Sequence, residues 1–178
     1  LEEHSHWAPP NREKAFDGVK KRLLNAERVV VIGAAVEDDE IKIFDRPGDV
    51  FIAADGAVGA VENYAQLACV VSDLDGGTYL DIAASKGQTI VVHAHGDNLL
   101  QWQQTLALWE QYPSVPSLIL SHQITTPVPG MHNFGGFTDG DRACLLYTSP
   151  SPRDKRQIPY SVFCWQKASP DAVFCLKK

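Results

Sequence analysis

Nowhere does the sequence hold a run of about 18 apolar residues, so no transmembrane helix is expected. Its first residues, Leu1-Glu2-Glu3-His4, carry no signal-peptide pattern. Cysteine is scarce: there are four in 178 residues, and only Cys69 precedes residue 144. A secreted disulfide framework is therefore not indicated, and a reducing, cytoplasmic setting is expected. Basic charge is also short. Sixteen Lys and Arg against 22 Asp and Glu give a net charge of −6. That balance argues against a nucleic-acid-binding surface. The deficit is uneven. Residues 144–178 hold six Lys/Arg and two Asp/Glu, which leaves 1–143 with ten against twenty, a net charge of −10. An acidic domain with phosphate chemistry needs metal ions to offset its own field.

What the chain does have is a repeated alternation. Short apolar runs end at Ile32, Ala54, Val71, Val92 and Leu120. Helical stretches lie between them: Asn11 (as N-cap) to Asn25, Glu37 to Phe44, Ala57 to Gln66, Gly77 to Lys86, and Asp97 or Asn98 to Gln111. Residues 1–10 read as an extended lead-in. Leu99, Trp102, Leu106 and Trp109 recur at helical spacing and are expected in the core. The length suffices for one domain with a real core. Such alternation predicts an α/β fold: a doubly wound, mostly parallel sheet with helices on both faces and right-handed crossovers.

The polar residues fall at the strand ends. Asp55, Asp73 with Asp75, His93 with His95 and Asp97, His122 with Gln123, and Asn133 each follow an apolar strand. In an open α/β sheet these ends share the binding edge. Asp73-x-Asp75 suits a hard cation such as Mg2+ that also holds phosphate oxygens. The alternative is structural: Asp73 as a helix N-cap and Asp75-Gly76-Gly77 as a turn. His93-x-His95, with His122 and Asp97, also fits a metal-dependent hydrolase using zinc, and His93 alone fits a structural histidine in the sheet. His4, His6 and His132 lack supporting neighbours and are expected to be solvated or incidental.

Four motifs then occur in order: Ala53-Ala54-Asp55-Gly56-Ala57, Ser72-Asp73-Leu74-Asp75-Gly76, His93-Ala94-His95-Gly96-Asp97-Asn98, and Asn133-Phe134-Gly135-Gly136-Phe137-Thr138-Asp139-Gly140-Asp141-Arg142-Ala143. Across residues 11–143 they resemble the archaeal 6-hydroxymethyl-7,8-dihydropterin pyrophosphokinase (MptE-like) family, whose fold is similar to thiamine pyrophosphokinase. The resemblance implies diphosphate transfer from ATP to the pterin hydroxymethyl group, with AMP released, in tetrahydromethanopterin or folate-type cofactor synthesis. It implies Asp73, Asp75 and Asp55 as Mg2+ ligands and Asp73, Asp75, His95 and Asp97 as catalytic residues. Asp55, Gly56, Asn98, Asn133, Gly135, Gly136 and Asp139 would contact the nucleotide or cofactor. Asp139 and Asp141 are each left as metal ligand or helix cap. No nucleic acid or membrane partner is implied, and a homodimer is carried as an expectation. The same broad class includes nucleotide-sugar-dependent flagellin glycosyltransferases, the alternative transferase reading. One departure is the loop after Gly33, Ala34-Ala35-Val36, where the family suggests Gly-Pro-Ser.

Beyond Ala143 the pattern breaks. Cys144 to Asp154 resembles the translation of a transposase-type sequencing adapter, residue for residue. The twice-occurring Val-Phe-Cys (162–164 and 173–175) reads as two copies of a primer rather than a solenoid repeat. Residues 1–143 are thus expected to be a C-terminally truncated domain and 144–178 a non-native tail that adds nothing specific to folding.

Overall fold

The computed structural model of the chain describes residues 5–36, 40–42, 46–148 and 174–177. A 3-10 turn at Ser5–Trp7 precedes helix α1, Pro9–Asn25. Trp7 is 1% exposed and its indole Nε1 donates to the Pro116 carbonyl at 2.8 Å. The lead-in is therefore anchored in the core, not extended along the surface. Two prolines open α1, where their missing N–H groups cost nothing. Asn11 consequently lies inside the helix, with Ala8 at the cap.

Five strands follow: β1 Arg28–Ile32, β2 Asp49–Ala54, β3 Leu67–Ser72, β4 Thr89–Ala94 and β5 Ser117–His122. They pair in parallel in the order β5-β4-β3-β2-β1. A short β6, Phe174–Lys177, runs antiparallel along the outer side of β1. The connections are a helical segment at 40–42, a 3-10 helix at Asp55–Ala60, α2 at Gly77–Ser85 and α3 at Leu99–Trp109. Helix α4, Asp139–Thr148, comes after β5. Between β2 and β3 a helix over 57–66 was expected. Gly56 and Gly59 disfavour an α-helix there, and one 3-10 stretch makes the crossing.

The expected α/β fold with helices on both faces is present, and the strand order explains how the faces divide. Every parallel step moves the same way across the sheet, so right-handed crossovers place all the connections on one face. Val30, Ile32, Phe51, Ala53, Val70 and Val92 meet Val58, Leu80, Ala83, Leu106 and Trp109 there. Val29, Val31, Ile52, Val71, Val91 and Ile119 point the other way, onto Val19 and Leu23 of α1 and Ala143 and Leu146 of α4. The two-residue alternation slips once. Phe51 pairs with Leu67 but Ile52 with Cys69, so Ala68 is an extra residue, as in a bulge.

Helix α4 packs across β1, β2 and β3 and runs through the 143/144 position, with Leu146 buried. Of the two Val-Phe-Cys copies, Phe174 and Cys175 lie in β6, and 162–164 and Val173 lie outside the described residues. Trp109 is fully buried and Trp102 partly so, but Leu99, in the first turn of α3, is 66% exposed. No described helix is long and apolar enough to cross a membrane.

Candidate functional site

Two strand ends are shaped for carboxylates. Just past β2, Asp55 has φ 50°, and just past β3, Leu74 has φ 80°. Left-handed backbone is tolerated by aspartate but strained for leucine, so Leu74 above all must be held. One hydroxyl helps hold both: Ser72 Oγ donates to Asp55 Oδ1 at 2.5 Å and accepts from Leu74 N at 2.8 Å. Gly76 completes the arrangement by close approach. A Cβ on it would stand 2.5 Å from Asp55 Oδ1. From the opposite face, the first turn of α4 delivers Asp139. Asp55, Asp73, Asp75 and Asp139 thereby each offer an oxygen, all within 4.8 Å of one another. Asp73 is not an N-cap: α2 has no side-chain cap, and Asp73 Oδ1 is buried without a partner.

The electrostatics are unfavourable as they stand. Burial raises the Asp55 carboxyl above its ordinary range. Burial, then Asp75, does the same to Asp73. Asp139 is pushed up to about 6 by burial and then by Asp73. The compensating cation is Arg142, one helical turn on, with Nη1 2.9 Å from Asp139 Oδ1 and Nη2 donating to the Phe137 carbonyl at 2.9 Å. One guanidinium against four carboxylates leaves room for a cation. An all-oxygen donor set with an orphaned buried oxygen fits a hard divalent ion. At the rim, His95 Nε2 lies 3.3 Å from Asp73 Oδ2 while its Nδ1 is paired with Asp97.

No protein-family model matches the chain. Individual proteins do. The 6-hydroxymethyl-7,8-dihydropterin pyrophosphokinase of Pyrococcus furiosus is 41% identical over 122 residues, 67% of this chain and 49% of that protein. The protein of the same name from Methanothermobacter thermautotrophicus is 42% identical over 107 residues, 59% of this chain and 43% of that one. That of Methanocaldococcus jannaschii is 40% identical over 101 residues, 53% and 39% respectively. The chain belongs to this family. It spans about half the length of the curated relatives it matches.

Among the pyrophosphokinase-type residues expected from sequence, Asp55, Asp73, Asp75 and Asp139 come together. Asp97 does not join them: its side chain is 85% exposed and holds His95. Asn98 does not cap α3 through its side chain. It donates instead to the carbonyls of Asp73 and His93, both at 3.0 Å, stitching two strand ends. Gly56 lies against the Gly76 carbonyl. Asn133 is occupied within its own loop, donating to Ile124 O at 2.9 Å and accepting from Gly135 N at 3.0 Å. Gly135 and Gly136 have φ 79° and 88°. The close approach at Gly136 is to the Arg142 amide, 2.9 Å from an added Cβ, so it serves the helix start. Asp141 receives the Phe137 and Thr138 amides at 3.4 and 3.3 Å. The two open roles are therefore divided: Asp141 caps α4 and Asp139 enters the cluster.

The histidines separate as well. His93 is buried, with Nδ1 3.0 Å from Ser121 Oγ. Burial, then Arg142, pushes its pKa down to about 4, so it is a neutral structural ring. The carboxylate cluster contains no imidazole among the described residues, which leaves a zinc pair of His93 and His95 without support. His132 is not solvated: it stacks on Phe16 at 4.3 Å and Phe134 at 5.5 Å. Sequence reasoning assigned no role to Ser72 or Arg142. Arg142 carried a signal, standing three residues after Asp139 at helical spacing.

Proposed function

We propose that the intact protein transfers the diphosphate of ATP to the hydroxymethyl group of 6-hydroxymethyl-7,8-dihydropterin and releases AMP. The observation that carries this is the four-carboxylate cluster with its unpartnered Asp73 oxygen at the carboxyl ends of β2 and β3, and the printed names of the relatives support it. Asp55, Asp73, Asp75 and Asp139 would hold Mg2+. A bound ion there supplies charge to neutralise and orient the phosphates. The pterin hydroxyl oxygen bonds to the β-phosphorus, and the bond from that phosphorus to the bridging α–β oxygen breaks. AMP leaves with that oxygen. His95, paired with Asp97 through Nδ1, would take the hydroxyl proton at Nε2. Arg142 fixes Asp139 and limits repulsion within the cluster.

The test incubates the intact Pyrococcus relative and this 178-residue chain separately with ATP, Mg2+ and reduced hydroxymethylpterin, then separates the nucleotides. AMP from the relative and none from this chain is expected. ADP as the sole nucleotide product would overturn the reaction. Activity with a nucleotide-sugar alone would point to a glycosyltransferase.

A further inference from the structure

Beside the cluster lies a cleft of about 520 Å³ between α2 and α3. It shares Asp75 with the carboxylates and continues past Leu74, Leu80, Gln104 and Thr105 to Asp81. Asp81 is positioned, not loose. Its Oδ1 accepts the indole N–H of the fully buried Trp109 at 2.8 Å. Its Oδ2 has no hydrogen-bond partner among the described residues. Asp81 lies four residues beyond the start of α2, about 6 Å along the axis. The cleft therefore has a phosphate-proximal end at Asp75 and a fixed carboxylate further along, with polar and apolar side chains between them.

We infer that this cleft seats the ring of the acceptor, a 2-amino-4-oxo-pyrimidine fused heterocycle, with Asp81 reading its 2-amino and N3–H donors. The inference rests on the pyrophosphokinase reading and deepens it. Two adjacent N–H donors match a carboxylate edge, as guanidinium groups do. The walls mix Leu74, Leu80 and Leu100 with Asp75, Gln101, Gln104 and Thr105, and a fixed polar group such as Asp81 is what orients a ring in such a site. With the pyrimidine edge at Asp81, the other end of the bicycle faces Asp75, where the phosphates would be. A site built to bond a donor rejects the analogue that lacks it, because its own buried group is left unpaired.

Every residue used here lies between 74 and 109, so this chain suffices for the test. Isothermal titration compares 6-hydroxymethylpterin with the matching lumazine, in which oxygen replaces the 2-amino group. The expected result is at least about tenfold tighter binding of the pterin. Asp81→Asn, which keeps an acceptor for Trp109, should erase the preference and leave Mg2+-ATP binding unchanged. Thr105→Phe, which fills the cleft, should abolish binding of both rings. Equal affinity of the wild-type chain for both rings overturns the inference, and needs no variant to fold. So does retained preference in Asp81→Asn, or no pterin binding by a chain shown folded by near-ultraviolet circular dichroism. AMP formation by the intact relative is scored separately. AMP without ring discrimination removes the cleft assignment and leaves the reaction; discrimination without AMP does the reverse.

Discussion

The two ends of the sheet treat charge in opposite ways. At the amino ends of the strands, Arg28 grips Asp49 through two nitrogens, and Asp49 also receives the Arg46 amide at 3.1 Å. Arg22 spends its guanidinium on the carbonyls of Leu67 and Ala65, at 2.7 and 2.5 Å. The charged groups there are paired, and the polar atom left over is the neutral Gln66 amide oxygen. At the carboxyl ends, four carboxylates crowd one arginine, and Asp73 Oδ1, His93 Nε2, His122 Nδ1 and Arg142 Nε are buried without partners. Both ends are rich in ionisable side chains, but among the described residues only the carboxyl ends leave a buried carboxylate oxygen without a partner. An unsatisfied polar group is costly in a dry interior, and a fold retains such a cost where a ligand removes it.

The comparison breaks most visibly in stability. Asp49→Ala removes the carboxylate that Arg28 holds with two nitrogens and should cost about 3 kcal/mol, with Mg2+ affinity unchanged. Urea unfolding and a Mg2+ titration of the same variant check both halves. Asp73→Asn should do the opposite. In an intact relative, it or Asp75→Asn should lower AMP formation at least about a hundredfold, while raising metal-free stability by relieving like charges. Equal turnover at saturating Mg2+ and ATP would remove the metal assignment. Gly76→Ala is a smaller, purely steric probe, since φ −69° suits alanine. Its methyl must push the Asp55 carboxylate aside, which should weaken Mg2+ binding about tenfold for a stability loss of about 1–2 kcal/mol.

The smallest effect is in the pH profile. Asp139 keeps its proton to about 6 in the fold but to about 4 when unfolded. Its contribution to stability is therefore complete at low pH and is lost as pH rises through that window. His93 works the other way. It stays neutral down to about 4 in the fold, so its contribution is present above the ordinary imidazole range and lost as pH falls. The two slopes oppose each other between pH 4 and 6.5. Mg2+ on the carboxylates removes only the first, so urea midpoints should climb more steeply with pH in its presence. Parallel profiles with and without Mg2+ would show that the raised carboxylates Asp55, Asp73 and Asp139 do not meet the ion.

Sequence made the sheet legible because each strand is a short apolar run closed by a polar residue, and the strand ends named three of the four clustered carboxylates as metal ligands. It could not show what depends on the third dimension. Asp139 lies far along the chain from Asp75, and only the placement of α4 on the face opposite the crossovers brings it over β2 and β3. Asn98 read as a cap because Asn before a helix usually is one; its side chain instead gives its N–H groups to two nearby carbonyls. Ser72 looked like an ordinary strand end. The division at 143/144 remains a proposal resting on nucleotide-level resemblance. Leu146 packs whatever its origin, because it falls one turn after Ala143 on the face that α4 already buries.

The split origin of the cluster has a consequence for biosynthesis. A chain leaving the ribosome presents Asp55, Asp73 and Asp75 well before Asp139 and Arg142, which arrive together on one helical turn. The fourth carboxylate thus never enters without its own cation, and the half-made site stays open to water until α4 docks. On the proposed metal assignment, high-affinity capture is then an event of late synthesis. Nascent chains stalled with residue 100 or residue 148 just clear of the exit tunnel and titrated with a luminescent lanthanide should bind it weakly and tightly, respectively; equal affinity would show that α4 is not needed.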